Sequence, residues 1–464
     1  MNITIDVNNF MMEQIGEEHG LRRPELNGLV PRVRSIHAGL QEARKNGAIG
    51  FYDLPQQDIT GVQQAADAIA EKFDTLVVLG IGGSSLGPRA LMSALRHPLH
   101  NMLDREKRGK RPRIFFLDNV DPDSHQALLD ILDLKTTCFS AISKSGTTAE
   151  TNAQFLIFVD RLKKELGDKW TEHLVLTTDR KKGNFRKIAD DEGIQNFEIP
   201  GNVGGRFSVY TPVGLLPAAV AGIDISALLA GASAMAERCQ SDDLWENPAY
   251  LNAACHYLMD VRKGKTMAVM MSYSDGLLNV ADWFRQLWAE SLGKRKSIEG
   301  KDVFVGPTPI KALGVTDQHS QLQLYAEGPN NKVFNILRVE EFNQSLAIPK
   351  GYDDMPDIAY LSGHDMGELL RAERDATMFS LTRRQRPNCS ITLPKVTEET
   401  VGQLLYMLEV QTAVSGGLYN IDPFDQPGVE MSKQFTYGLL GRQGFEEKKQ
   451  EMDSTKPGKD DLVL

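Results

Sequence analysis

Short, continuously apolar segments recur along the first half of the chain, and helix-length stretches separate them. They begin at Thr75 and read "TLVVLG" at 75–80, "RIFFLDN" at 113–119, "TTCFSAI" at 136–142 and "HLVLTTD" at 173–179. A strand that is covered on both faces shows no polar alternation, so this pattern is typical of buried strands. The repeated alternation of strand and helix predicts a doubly wound parallel sheet flanked by helices.

A second set of such patterns follows after about residue 230. "KTMAVMMSYSD" and "PNCSITLP" are typical of strands, whereas 280–294 and 398–420 have the period of helices. We therefore expect two similar α/β units. The expected divisions are an N-terminal helical segment at 1–45, a first α/β domain at 46–229, a second at 230–425, and a C-terminal helix with a charged tail at 426–464. That tail is predicted to be a solvated helix that gives way to disorder.

The charge and cysteine content narrow the class of protein. The formal net charge is -10 with acidic and basic residues interspersed, which argues against a nucleic-acid-binding surface. The four cysteines have neither zinc-ligand nor redox spacing, which favours a reducing compartment. They are Cys138, Cys239, Cys255 and Cys389. No signal peptide and no run of roughly 18 apolar residues is evident, so we expect a cytoplasmic protein without a membrane partner.

A glycine-rich turn follows the first buried strand in "LGIGGSSLGPRALMSAL". Gly80, Gly82 and Gly83 leave backbone N–H groups free to point at an anion on the N-terminus of the next helix. A dinucleotide fingerprint would need glycine where Ser85 stands and an acid about 20 residues further on, so a nucleotide cofactor is disfavoured. A tight turn without any ligand is the alternative interpretation.

A hydroxyl-rich turn, "SKSGTTAET", follows a neighbouring buried strand. Its side chains are those of Ser143, Lys144, Ser145, Thr147 and Thr148. Hydroxyl groups donate hydrogen bonds without carrying charge, and the helix N-terminus adds backbone donors. Two such turns at the carboxyl ends of parallel strands can converge on one crevice, so a phosphate monoester is the favoured ligand. The alternative is an ordinary cluster of helix N-cap residues.

The helix predicted at 280–294 carries Gln286 and Glu290 one turn apart beside large aromatic residues. A carboxylate there would be partly removed from water, as a general base requires. A surface glutamate paired with Lys294 is the alternative, and the pattern alone favours it.

Four further polar residues are candidates for the chemistry. His319 follows a potential helix cap, where a helix N-terminus would favour the neutral imidazole. Arg206 follows two glycines and precedes an apolar helix, which suits an arginine that holds an oxyanion. Gln426 and Lys433 flank a predicted helix start. Spacing alone favours a structural role for His319, and Gln426 and Lys433 could each be structural as well.

Six motifs together resemble the glucose-6-phosphate isomerase family, and they occur in the family's order. They are "GIGGSSLGP", "SKSGTTAET", "GGRFSVYTPVGL", "AESLGK", "DQHSQ" and "FDQPGVEMSK", spanning 79–433. The resemblance implies a fold of two sugar-isomerase (SIS) domains. It also reverses the preference for a structural role at Glu290 and His319.

The resemblance implies a role for each candidate residue. Glu290 would move a proton between C2 and C1, and Arg206 would stabilise the enediolate. His319 would open the sugar ring with help from Lys433, and Glu150 would orient this histidine. The implied phosphate contacts are Ser84, Ser143, Ser145, Thr147 and Thr148. Gly83, Lys144, Gly205, Gln286 and Gln426 would complete the substrate contacts.

The implied reaction is the reversible isomerisation of glucose 6-phosphate and fructose 6-phosphate in glycolysis and gluconeogenesis, without a metal or cofactor. The family also implies a homodimer in which the histidine comes from the partner subunit. Two alternatives are an enzyme that also accepts mannose 6-phosphate and a non-catalytic phosphosugar-binding regulator. "SKSGTT" in place of "SKTFTT", and Pro427 where many members have tryptophan, resemble compact bacterial members and leave the substrate range open.

Overall fold

Two five-stranded sheets organise the part of the chain that the structure describes, which is 2–455 together with 458 and 462 in a computed structural model. The strands are β1 Thr4–Asp6, β2 Thr75–Leu79, β3 Arg113–Leu117, β4 Thr137–Ile142, β5 Leu174–Asp179, β6 Gln195–Ile199, β7 Met267–Ser272, β8 Lys294–Lys296, β9 Asp302–Val305, β10 Thr308–Leu313, β11 Lys332–Glu341 and β12 Asn388–Lys395.

The first sheet has the order β3-β2-β4-β5-β6, and all of its strand pairs are parallel. The second has the order β1-β12-β11-β7-β10, with parallel pairs except for β1, which runs antiparallel to β12. Strands β8 and β9 form a separate antiparallel pair. The predicted α/β class with two parallel sheets is confirmed.

Helices cover the faces of these sheets. They are α1 Met12–His19, α2 Arg23–Asn27, α3 Val30–Lys45, α4 Thr60–Lys72, α5 Gly83–Leu95, α6 Pro122–Leu129, α7 Ala149–Leu166, α8 Asn184–Glu192, α9 Pro212–Val220, α10 Ile225–Arg238, α11 Pro248–Lys263, α12 Leu278–Leu292, α13 Leu322–Glu327, α14 Pro356–Ala359, α15 Met366–Arg383, α16 Glu398–Tyr419, α17 Glu430–Leu439 and α18 Glu446–Ser454.

Helices lie near both ends of the described part of the chain. Helices α1, α2 and α3 account for much of 2–45, but Thr4–Asp6 forms an edge strand because it pairs with β12. The tail forms α18, whose residues are mostly exposed, and the predicted disorder falls partly on 456–457, 459–461 and 463–464, outside the described residues. No helix within the described ranges is long and apolar enough to cross a membrane. The domain divisions stay a prediction.

Helix α16 lies in the middle of the core, and nearly all of its residues are buried. It contacts α3, α10, α11 and α12. Close approach to α10 depends on Gly402, because a Cβ there would lie 2.1 Å from the backbone oxygen of Leu228. A helix that is apolar on every face must be covered on every face, which explains why α16 joins elements from both halves of the chain.

One carboxyl group, that of Glu409, is fully buried in α16. Neither of its oxygens has a hydrogen-bond partner among the described residues. Burial raises the pKa of Glu409 well above its ordinary value, because an isolated carboxylate in an apolar environment is costly. Burial therefore favours the neutral form of this group in the folded protein.

Replacing Glu409 by Gln is expected to stabilise the protein increasingly as the pH rises. The unfolded chain releases the proton above pH ~4.3, whereas the folded chain retains it, so wild-type stability falls by up to about 1.4 kcal/mol per pH unit until the folded pKa is passed. Thermal unfolding of E409Q and wild type at pH 5 and pH 8 measures the difference. The exposed Glu399→Gln is the control, and a pH-independent difference for E409Q would contradict the prediction.

Candidate active site

A crevice opens where the strand order of the first sheet reverses. The chain leaves β2 toward β3 and then returns to β4 on the other side of β2, so β2 and β4 lie side by side at the switch point. Open α/β sheets bind ligands at this place, beyond the carboxyl ends of the strands. The glycine turn follows β2 and the hydroxyl turn follows β4, and both line one cavity of about 750 Å³.

This cavity is lined by every predicted site residue except His319. They are Gly83, Ser84, Ser143, Lys144, Ser145, Thr147, Thr148, Glu150, Gly205, Arg206, Gln286, Glu290, Gln426 and Lys433. These residues come from the turns and helix starts that follow β2, β4 and β6, from α12 and from the segment around α17. The structure therefore brings together positions that are far apart in the sequence.

The glycine turn allows two backbone segments to meet. Helix α5 begins at Gly83, and Gly82 before it has φ +60, which favours glycine. A Cβ on Gly83 would lie 2.0 Å from the backbone oxygen of Gly205. Glycine at position 83 thus lets the loop that carries Arg206 pack directly against the start of α5, beside Ser84.

The hydroxyl turn is held by bonds among its own groups. The Ser143 and Thr148 hydroxyls lie 3.2 Å apart, those of Ser145 and Thr147 lie 2.8 Å apart, and Gly146 N–H donates to Ser143 Oγ at 3.1 Å. Thr148 is the N-cap residue of α7 but makes no side-chain capping bond. The hydroxyls therefore do not cap α7 itself, and phosphate binding at its N-terminus stays a prediction.

Lys144 ties the hydroxyl turn to the loop that precedes Arg206. Its ammonium donates to the backbone oxygens of Gly201 at 2.8 Å and Val203 at 2.9 Å. Burial lowers the pKa of Lys144, and the nearby Asp179 carboxylate opposes that shift. Lys144 lines the cavity, but its ammonium group already donates to two backbone oxygens of the protein.

The Arg206 side chain makes more hydrogen bonds than those of the other cavity residues described so far, and the residue is buried, with 3 % exposed. Its guanidinium donates to Ser291 Oγ at 2.7 Å and Gln426 Oε1 at 2.9 Å. It also donates to the backbone oxygens of Pro423 at 2.6 Å and Asp425 at 2.9 Å. Burial lowers the pKa of Arg206, and its carboxylate neighbour Glu290 opposes this shift. Every arm of this planar group is fixed, so its charge is preorganised.

Glu290 is held between two cavity residues from different elements. Its Oε1 accepts from Gln286 Nε2 at 3.0 Å, and its Oε2 lies 3.3 Å from Arg206 Nη1. The alternative of a surface pair with Lys294 is wrong, because that ammonium donates to the backbone oxygen of Glu290 instead. The carboxylate is about one third exposed, so it can be reached by a ligand in the cavity.

The remaining predicted polar residues lie at the cavity rim. Lys433 extends from α17 and pairs with Glu430 at 2.8 Å. Gln426 is exposed apart from its bond to Arg206. The Glu150 carboxylate, in the first turn of α7, has no hydrogen-bond or ion-pair partner in the part of the chain that the structure describes. A free carboxylate at the rim is available to a group from outside this chain.

His319 lies elsewhere, and its local structure differs from the expectation. It ends a short 3₁₀ helix, Thr316–His319, instead of beginning a helix. Asp317 organises this turn by accepting from Leu313 N–H at 2.7 Å and from the Ser320 hydroxyl at 2.6 Å. The His319 side chain is exposed and does not line the cavity of this chain.

Sequence reasoning missed several lining residues. The end of β5 contributes Asp179, a third turn after it contributes Lys182 and Gly183, and α17 contributes Ser432 and Tyr437. The signal for the third turn was present, since "HLVLTTD" was predicted as a strand beside the others and its end carries an acid followed by cations. Nothing in the spacing of α17 pointed to the cavity.

The arrangement suits acid–base chemistry on a phosphorylated ligand. It combines uncharged donors and helix N-termini with one carboxylate that is fixed by a buried guanidinium. Within the described residues no group of three or more His, Cys, Asp or Glu side chains assembles that could hold a metal.

Two known proteins with similar sequences are named as the same enzyme. The chain is 48% identical over 455 residues to the glucose-6-phosphate isomerase of Carboxydothermus hydrogenoformans, covering 97% of each chain. It is 45% identical over 448 residues to that of Rubrobacter xylanophilus, covering 96% of this chain and 99% of the other.

Two solved structures have a similar fold. A hypothetical protein of Thermus thermophilus superposes with a TM-score of 0.83 at 36% identity, covering 95% of this chain and 100% of the other. A glucose-6-phosphate isomerase from Chlamydia trachomatis shares the fold with a TM-score of 0.73 at 24% identity, covering 91% of this chain and 80% of that one. The family profile described as phosphoglucose isomerase matches 59–458. The chain therefore belongs to the phosphoglucose isomerase family, as its motifs predicted.

Proposed function

We propose that this cavity is where the protein interconverts glucose 6-phosphate and fructose 6-phosphate, through an enediolate intermediate. The observation that carries the assignment is the position of Glu290. Its carboxylate contacts Arg206 and Gln286 in the same cavity that the hydroxyl turn lines. The phosphate of a sugar phosphate would bind the hydrogen-bond donors of the hydroxyl turn. Carbons C1 and C2 of the same sugar would then lie beside the Glu290 carboxylate.

The phosphate would be held by the two turns of the first sheet. Ser84 at the start of α5 and the four hydroxyls of the second turn offer hydrogen-bond donors to its oxygens. The uncapped N-terminus of α7 adds backbone donors and a favourable dipole. Binding energy gained at this remote group would position the reacting carbons.

Glu290 would take the proton from C2 of the open-chain aldose and return it to C1, while the hydroxyl proton of O2 passes to O1, so that the ketose forms. As the C2–H bond breaks, negative charge develops on the former carbonyl oxygen O1, which gives the enediolate. Arg206, fixed by its contacts to Ser291 and to the 423–426 segment, would stabilise that charge without reorganising. Gln286 and Gln426 would then place the hydroxyl groups at this end of the sugar.

Ring opening would use His319 from a second copy of the chain, with Lys433 and Glu150 at the rim of the receiving cavity. Two features support a shared site: His319 is exposed and outside the cavity of its own chain, and Glu150 lacks a partner among the described residues. The second half of the chain also exposes large apolar side chains, such as Leu346 at 68% and Tyr352 at 67%, which a homodimer would cover.

Mixed dimers test the shared site. E290Q and H319A are each expected to be nearly inactive as pure proteins. A mixed dimer would have one site with both lesions and one with neither, so random exchange of subunits should restore about one quarter of wild-type activity. A coupled assay of purified mixtures with fructose 6-phosphate measures this. If each site belonged to one chain, every site would keep a lesion and the mixture would stay inactive.

The coupled assay, run also with mannose 6-phosphate, shows which hexose 6-phosphates are substrates. Mannose 6-phosphate differs from glucose 6-phosphate only at C2, where the proton is removed, so turnover of both would establish a dual-specificity enzyme. We also propose a cytoplasmic location, which the four buried, unpaired cysteines support.

A further inference from the structure

Two buried cations share one backbone oxygen beneath the cavity. The carbonyl of Asp425 accepts from Arg206 Nη2 at 2.9 Å and from Lys294 Nζ at 2.6 Å. Arg206 is 3 % exposed and Lys294 is 7 % exposed. Burying an ammonium is costly, so its placement there needs a reason.

Lys294 also contacts the helix that carries Glu290. Its ammonium donates to the backbone oxygen of Glu290 at 2.7 Å and lies 3.2 Å from the Asp425 carboxylate. A single side chain therefore joins the last turn of α12 to the segment 423–426, which carries Gln426 and the acceptors of Arg206. Lys294 does not itself line the cavity.

We propose that Lys294 is a positioning residue for the isomerisation. It holds α12 and the 423–426 segment at a fixed separation, so that Glu290 and Arg206 keep their mutual geometry while the proton is transferred. This inference rests on the proposed roles of Glu290 and Arg206. Burial lowers the pKa of Lys294, and the Asp425 carboxylate opposes that shift, which is consistent with a buried ammonium engaged by these partners.

The competing interpretation is that Lys294 only stabilises the fold by satisfying carbonyl groups near the end of α12. The chain contains a matched residue for comparison. Lys265 is 2 % exposed, and its ammonium donates to the backbone oxygen of Asn330 at 2.6 Å. It lies outside the cavity lining, near the start of β7. Replacing Lys265 therefore measures how much stability is lost with a buried lysine when the cavity itself is left unchanged.

Lys294→Met and Lys265→Met are compared with the wild type in the fructose 6-phosphate assay. We expect K294M to lower kcat by about 10- to 100-fold while KM changes by less than about threefold, because the phosphate contacts come from the first sheet. K265M should keep wild-type kcat even if both variants lose similar thermal stability. Lys294→Gln, which retains an N–H donor, should recover part of the loss.

Two ligands separate positioning from stability without relying on turnover. Glucitol 6-phosphate carries the phosphate but no carbonyl, and its Kd for K294M should stay near the wild-type value. D-arabinonate 5-phosphate places a carboxylate where the enediolate charge would develop, and its Kd should rise in proportion to the fall in kcat.

Wild-type kcat in K294M, an equal loss in K265M, or an equal loss of affinity for both ligands would each overturn the proposal. If K294M does not fold, the kcat of K294Q decides, since an unchanged value would also overturn it. A wild-type protein without isomerase activity would overturn the proposed function itself, and this inference with it.

Discussion

Replacing Glu290 by Gln is expected to lower kcat for fructose 6-phosphate by about 10³-fold, because the amide cannot accept the proton from carbon. The substitution preserves shape: the amide oxygen can still accept from Arg206, and its NH2 can donate to the Gln286 side-chain oxygen once that amide has turned over. Binding of glucitol 6-phosphate should therefore change by less than about threefold, since that ligand lacks the reacting carbonyl.

Solvent exchange provides a second measurement of E290Q. In deuterium oxide the wild type should incorporate deuterium at C1 or C2 of the sugar as the proton is carried on the carboxylate, and NMR detects it. E290Q should not. Glu409→Gln is a suitable control, because Glu409 is a buried glutamate outside the cavity lining. Turnover of E290Q within tenfold of the wild type would place the base elsewhere.

Replacing Arg206 by Lys is expected to lower kcat by about 10²- to 10³-fold, although the positive charge is kept. The guanidinium now reaches Ser291, Gln426 and two backbone oxygens at once. An ammonium has three donors at one point and cannot reproduce this planar arrangement. The charge would no longer be fixed where the enediolate develops.

The affinity for D-arabinonate 5-phosphate should fall with kcat in R206K, while that for glucitol 6-phosphate changes less. Arg374→Lys is the matched control, because Arg374 is 1 % exposed and donates to the backbone oxygen of Val339, away from the cavity lining. If R374K lost as much activity as R206K, general destabilisation would explain both results.

The two phosphate turns were predictable because each is local. A buried apolar strand, a turn of small or hydroxyl residues and a following helix are adjacent in sequence, and the parallel sheet places their ends together. The partners of Arg206 were not predictable in this way, since Glu290 and Gln426 lie 84 and 220 residues away. Only the family resemblance connected them.

Three of the strands that the sequence analysis did not indicate, β1, β6 and β10, have a similar explanation, whereas the central β11 is buried over most of its length and its apolar residues were overlooked. β6 and β10 lie at sheet edges and are only partly buried, so their residues lack the continuous apolar run that indicated β2, β4 and β5. β1 is three residues long and exists only because β12 offers it an edge. For β1 the deciding interaction comes from a distant part of the chain, which periodicity does not report.

The central position of α16 has a consequence for biosynthesis. This helix comes late in the chain, yet it covers faces of α3, α10 and α11 that are made long before it. During translation those apolar faces stay without their natural cover until 398–419 have left the ribosome. The core is therefore completed only near the end of synthesis, and we expect the nascent chain to depend on protection from aggregation during that interval.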